Sequence, residues 1–198
     1  MYYTAAYLLK VILSIFGRVN VFQKEKLPKS DGYIIACTHT GWVDILWLGV
    51  SLLPTKVHYM AKKELFQSGP LGWLMKKLNA FPVDRDNPGP STIKVPRKLL
   101  KDGNIIGIFP SGTRTTNQVP LKRGAVTIAA YSKAPIVPAA YVGPNNFKEL
   151  IRFKKPKIIF GDPIYLSENI PRKEAMEEMM GVMNDELYAL QATLEDKI

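Results

Sequence analysis

In 198 residues the chain has a single cysteine and two histidines. One cysteine excludes an intramolecular disulfide, and Cys37 sits in the apolar run Tyr33–Cys37, which predicts a buried, inert thiol in a reducing compartment. Two histidines and one cysteine form no cluster with metal-ligand spacing, and no Walker or dinucleotide glycine motif is present, so neither a metal nor a nucleotide cofactor is expected. The G-x-S-x-G elbow of serine hydrolases is missing as well. No apolar run approaches the roughly 20 residues a membrane-spanning helix needs. Internal repeats, low-complexity tracts and long linkers are also absent, and the length suits one domain.

Acidic residues are scarce outside the carboxy-terminal segment. Residues 168–198 hold eight acids and three bases, leaving nine acids and 24 bases in residues 1–167, a net of +15. A body that basic favours anionic partners: nucleic acid, a phosphorylated small molecule or an anionic membrane surface. No nucleic-acid motif and no basic stripe interleaved with aromatics occurs, so nucleic acid is not an expected partner.

The amino terminus narrows the choice. Tyr2 to Phe16 is mostly apolar, and at about 100° per residue Thr4, Lys10, Ser14 and Arg18 fall within one polar arc of about 120°. This predicts an amphipathic helix that lies on a bilayer without crossing it. A secretory signal fits poorly, because no basic residue precedes the apolar run and no small-residue cleavage site follows it. Trp73, in an apolar run closed by Lys76 and Lys77, also suits a membrane interface.

Farther along, β-rich runs recur at Tyr33–Cys37, Val57–Met60, Ala80–Val83, Asn104–Phe109, Ile136–Val142 and Lys157–Phe160. Helix-like segments lie between several of them, at Val43–Leu53, Pro70–Leu78, Thr92–Lys101 and Gly124–Ser132, with a long acidic helix after Pro171. The alternation predicts an α/β fold with a mixed central sheet flanked by helices. Its expected organisation is a membrane-anchoring helix over 1–18, a catalytic core over 19–167 and the acidic helix over 168–198. The methionines of that last helix, Met176, Met179, Met180 and Met183, are expected in the core.

His39 and Asp44 lie in Ala36-Cys-Thr-His-Thr-Gly-Trp-Val-Asp-Ile45, where a strand ending near Thr38 gives way to a helix beginning near Trp42. On a regular helix two residues five apart point about 140° apart. A loop can fold His39 back over Asp44 instead. The carboxylate would then hold one imidazole nitrogen and leave the other as a general base. His58 has no carboxylate at similar spacing and is assigned no role.

Cations gather where strands are predicted to end. Phe109-Pro-Ser-Gly-Thr-Arg114 follows one strand, Arg85 closes Phe81-Pro-Val-Asp-Arg85, Lys62 and Lys63 follow another, and Lys122 precedes a helix. An open α/β sheet binds ligands at such an edge, and a tight Ser-Gly turn beside Arg114 suits a phosphate or oxyanion.

Four blocks in order, over roughly residues 33–140, resemble the glycerolipid acyltransferase family, in particular its bacterial lysophosphatidic acid acyltransferases. They are the His39 to Asp44 spacing, Phe81–Arg85, Phe109–Arg114 and Pro135-Ile-Val-Pro-Ala139. The resemblance implies a glycerol-3-phosphate acyltransferase-like fold and transfer of a fatty acyl group from a thioester to the free hydroxyl of 1-acyl-glycerol-3-phosphate. It implies His39 as the base and Asp44 as its orienter. Arg114 and Lys62 become the expected ligands of the lysolipid phosphate, with Arg85 and Lys122 in support and Gly112 and Thr113 shaping the turn. Lysophosphatidic acid, a membrane bilayer and either acyl-coenzyme A or acyl carrier protein are the expected partners, at the cytoplasmic face of a membrane. Glycerol 3-phosphate or another lysophospholipid stays open as acceptor, as does a non-catalytic role in binding anionic lipid. Three positions depart from the usual pattern: Thr38 stands in place of asparagine, Gly41 in place of serine, and Ser111 in place of glutamate.

Overall fold

The computed structural model describes residues 2–29, 31–67, 69–84, 87, 89–114 and 119–196. Its elements in chain order are α1 (Tyr2–Ile15), β1 (Asn20–Phe22), β2 (Ile34–Cys37), α2 (Val43–Ser51), β3 (Val57–Lys62), α3 (Gly69–Lys77), β4 (Phe81–Val83) and α4 (Ser91–Lys101). There follow β5 (Ile105–Ile108), α5 (Gly124–Ser132), β6 (Ile136–Val142), α6 (Phe147–Ile151), β7 (Lys157–Phe160) and α7 (Arg172–Glu195). Short 3-10 turns cover Lys24–Lys26 and Lys63–Phe66.

The strands form one sheet in the order β1-β7-β6-β2-β5-β3-β4. β6, β2, β5, β3 and β4 run parallel, while β7 is antiparallel to β6 and carries β1 parallel to itself. The registers Ala36↔Ile108, Tyr59↔Gly107 and Lys62↔Val83 align the carboxyl ends of β2, β5, β3 and β4 along one edge. β2 is buried at all four positions, as a central parallel strand covered on both faces must be.

Period-two alternation divides the core. Ile35 and Cys37 face one side, where Trp47 and Leu48 of α2, Leu13 of α1 and Leu150 of α6 pack on them. Ile34 and Ala36 face the other, against Val126, Ile128 and Ala129 of α5 and Met179, Met183 and Leu187 of α7. The helix α7 buries Ala175, Met179, Met183, Leu187, Leu190 and Leu194, one row at helical spacing. The methionines at 179 and 183 are core residues, and Met176 and Met180 pack at the cluster's margin. Pro96 stands inside α4 and is buried without ending the helix.

Two elements escape the sequence reading, β1 and α6, each five residues or fewer. The amino-terminal helix forms as expected but buries only Ala6 and Leu13. Its outer face carries apolar residues beside the polar stripe: Tyr3, Tyr7, Leu8, Val11, Ile12 and Ile15 are 45–67% exposed. Among the described residues no helix is long and apolar enough to cross a membrane.

Candidate active site

β2 ends at Cys37 and α2 begins at Val43, so His39 lies in the connecting loop and Asp44 in the first turn of the helix. The loop turns the imidazole back onto the carboxylate. Nδ1 of His39 lies 3.0 Å from Oδ2 of Asp44, with the aspartate side chain fully buried and the histidine 11% exposed.

A buried carboxylate needs donors, and the loop backbone provides them. The N–H groups of Thr40 and Gly41 donate to Oδ2 at 2.8 and 3.0 Å, and that of Ile45 donates to Oδ1 at 2.7 Å. Position at the start of α2 adds the favourable end of the helix dipole. A carboxylate so placed holds the proton on Nδ1 of His39. Nε2 is then the basic nitrogen.

The ring is held from a second direction. Phe109, the first residue after β5, lies over the imidazole with centroids 4.4 Å apart and planes tilted by 32°. Tyr59 of β3 stacks on Phe109 at 6.3 Å and 13°, and its hydroxyl donates to the Ile45 carbonyl at 3.0 Å. Adjacent strands therefore deliver His39, Phe109 and Tyr59 to one edge of the sheet.

The Phe109–Arg114 segment is a tight turn. Gly112 has φ of +67°, its N–H donates to the Phe109 carbonyl at 3.0 Å, and the Ser111 hydroxyl donates to the Thr113 carbonyl at 2.8 Å. Lys122 returns to it: its N–H donates to the Pro110 carbonyl at 2.8 Å, and its side chain crosses Gly112. Lys62 ends β3 at the same sheet edge, 3.8 Å from the Glu64 carboxylate. Thr113 and Arg114 are exposed. Arg85 lies outside the described residues.

A pocket of about 40 Å³ opens at His39, lined among others by Ser111 and Leu121 and, from α7, by Leu187, Tyr188 and Gln191. Cys37 also borders it, with burial pushing its thiol well above the usual range and the Asp44 charge acting in the same direction.

A family model described as Acyltransferase matches residues 18–142. The chain belongs to the acyltransferase family. It is 55% identical over 197 residues to the 1-acyl-sn-glycerol-3-phosphate acyltransferase of Bacillus subtilis, covering 98% of this chain and 99% of that one. It is 39% identical over 173 residues to the enzyme of the same name from Streptococcus pneumoniae, covering 85% of this chain and 64% of the other. The crystal structure of the 1-acyl-sn-glycerophosphate acyltransferase from Thermotoga maritima superposes with a TM-score of 0.70 at 20% identity, over 96% of this chain and 80% of that one, so the fold is shared.

Within this acyltransferase the departures from the family pattern have local causes. Thr38 accepts the Tyr141 N–H on its hydroxyl at 3.0 Å, tying the loop to β6. Gly41 is required, because a Cβ there would fall 2.0 Å from the Asn145 carbonyl oxygen. Three features of the site went unread in the sequence. The roles of Phe109 and Tyr59 depend on strand order, and the Tyr188–Gln191 face comes from a helix about 150 residues after His39. Phe109 alone carried a signal, as the first residue of the Phe109–Arg114 block.

Proposed function

We propose that this chain transfers a fatty acyl group from an acyl thioester to the free hydroxyl of 1-acyl-sn-glycerol-3-phosphate, giving phosphatidic acid. The buried contact between Nδ1 of His39 and Asp44 carries the reaction class. The acceptor follows the name of a relative that matches nearly the whole chain.

In the proposed step Nε2 of His39 takes the proton of the acceptor hydroxyl as its oxygen attacks the thioester carbonyl. Collapse of the tetrahedral intermediate breaks the carbon–sulfur bond. The leaving thiolate receives the proton from His39, which regenerates the base. Direct transfer is supported by the alternatives nearby: Cys37 is buried with a raised pKa, and the Ser111 hydroxyl is engaged by the Thr113 carbonyl. Arg114 and Lys62 hold the lysolipid phosphate, Lys122 and Arg85 assist, and Gly112 and Thr113 shape the turn. Coenzyme A or acyl carrier protein delivers the acyl group, and no further cofactor takes part. A pocket this small has room for a few waters at most, so the acyl chains extend beyond it. The outer face of α1 lies on the cytoplasmic surface of a bilayer and keeps the enzyme where both lipid chains reside, as a peripheral protein.

Thiol release from an acyl-coenzyme A, with and without lysophosphatidic acid and beside His39→Ala, tests this reading. Release that depends on the acceptor and disappears in folded His39→Ala is the expected result. Absence of acceptor-dependent release with both coenzyme A and acyl carrier protein donors, or a fully active His39→Ala enzyme, would overturn it.

A further inference from the structure

The short helix α6 and the turn after it place three large apolar side chains in the open: Phe147, Ile151 and Phe153 are 55%, 49% and 61% exposed. This is not a loosely held segment. Leu150 is buried on the opposite side, the Asn146 side chain caps the Glu149 N–H at 3.0 Å, and Glu149 accepts the Asn145 N–H at 3.1 Å. Phe153 has φ of +56°, a conformation that bulky side chains rarely adopt and glycine adopts freely. Its N–H donates to the Leu150 carbonyl at 3.0 Å, so an aromatic ring is displayed where the helix end would suit a glycine.

Cations surround these rings. Residues 147–157 contain five bases and one acid, Glu149, which Lys154 approaches at 3.6 Å. Lys148, Arg152, Lys154 and Lys155 are all exposed. Apolar side chains that can enter an acyl boundary, ringed by lysines and arginine, complement an anionic bilayer.

The patch is joined to both α1 and the candidate active site. The Phe16 ring, just past α1, lies 6.4 Å from Phe147 and 6.5 Å from Phe153. The residue that leads into α6, Asn145, presses its carbonyl against Gly41 in the His39 loop, and the next residue, Trp42, is 41% exposed. Building on α1 as a bilayer contact, we propose that α6 and the turn through Lys155 form a second contact with anionic lipid, one that seats the His39 loop at the membrane surface. α1 by itself would only tether the chain. The second contact sets the height and tilt at which the site meets its lipid substrates.

Sedimentation with vesicles of phosphatidylglycerol mixed into phosphatidylcholine, and with phosphatidylcholine alone, tests this in the full chain. Three variants are compared with wild type: Phe147→Ser with Ile151→Ser, Phe153→Gly, and in α1 Leu8→Ser with Ile12→Ser. The α6 pair should lower partitioning onto the mixed vesicles by at least about tenfold. Phe153→Gly should lower it too while keeping or raising Tm, because glycine suits that φ. Turnover of a dispersed short-chain lysophosphatidate should stay unchanged in both, whereas turnover of acceptor embedded in vesicles falls. Wild-type partitioning in the α6 variants, with loss only in the α1 pair, would overturn the second contact and leave the α1 reading intact. Failure of wild type to bind either vesicle would overturn both. Vesicle binding that survives while a concentration-dependent dimer is lost in the Phe147 and Ile151 pair would assign the patch to a second copy of the chain and overturn the lipid reading.

Discussion

The side chain of Lys122 lies across the Cα of Gly112, so that a Cβ added to the glycine would fall 2.7 Å from Cε and 2.9 Å from Nζ. The ammonium group is thereby kept over the turn that leads to Arg114. Gly112→Ala should displace the flexible end of Lys122 and strain a backbone with φ of +67°, at a stability cost of about 1 kcal/mol. With Lys122 in its proposed place beside the lysolipid phosphate, KM for lysophosphatidate should rise severalfold while kcat changes little. Lys122→Met should reproduce the KM effect without the loss of Tm. Steady-state kinetics and thermal melts on the two variants check both halves, and an unchanged KM in both would remove Lys122 from the phosphate site.

Asp44 and His39 should separate in the same experiments. Asp44 is fully buried and accepts from three backbone N–H groups as well as facing His39. An amide can replace only one of its two accepting oxygens, so Asp44→Asn leaves a donor facing donors and should cost about 2 kcal/mol of stability. Activity should fall at least about a hundredfold, since the imidazole loses its orientation and tautomer. His39→Ala removes no buried acceptor, so its Tm should stay near wild type while acyl transfer is nearly abolished. Equal destabilisation by the two changes, measured by denaturant melts, would contradict the division of roles.

Much of this arrangement was legible in the chain because it depends on local pattern. The strand before Thr38, the helix after Trp42 and the cations that follow Met60, Phe109 and Pro120 are set by short-range signals: apolar runs, turn residues and the closing charges. The contact of His39 with Asp44 needs only a loop of the right length. Phe109 over His39 depends on β5 lying beside β2, which sequence order does not announce. β1 is three residues of mixed character, and α6 is five residues with one Lys, one Glu and only Leu150 buried, too short for a helical period to stand out. Pro96 argues against the helix that contains it, yet burial against the core overrides that preference. Arg85 lies outside the described residues, so its expected place among the phosphate ligands rests on the family resemblance.

His58 gives a pH dependence unrelated to catalysis. Burial holds its imidazole below the ordinary value of 6.5, with a backbone contact from Ile105 opposing the shift and Lys56 adding to it. The unfolded chain therefore binds this proton more readily than the folded one. Stability from this group is fully present above pH 6.5 and is lost as pH falls from there through the lower folded value. Wild-type Tm should drop on acidification across that window, and His58→Leu should flatten part of the slope. Acyl transfer at neutral pH should persist in the variant. A pH profile of Tm identical in the two proteins would show that His58 titrates as freely folded as unfolded.

Gly41 provides a test in which the family's usual residue should do harm. The family resemblance implies serine there, but in this chain the Asn145 carbonyl carbon and oxygen would lie 2.6 and 2.0 Å from an added Cβ. Both are backbone atoms, so relief requires moving the β6 to α6 connection or the His39 loop itself. Movement of the loop disturbs the Gly41 N–H that donates to Asp44 at 3.0 Å. Gly41→Ser should lower kcat by at least about tenfold and reduce stability by 1 to 3 kcal/mol, roughly the cost of overpacking a well-filled site. Shortening the side chain at Asn145 cannot restore it, because the clash is with the peptide group. Asn145→Gly should therefore leave Gly41→Ser impaired, and by itself it should leave kcat near wild type. Full activity in Gly41→Ser would mean that the loop and α6 are not packed as closely as this contact requires.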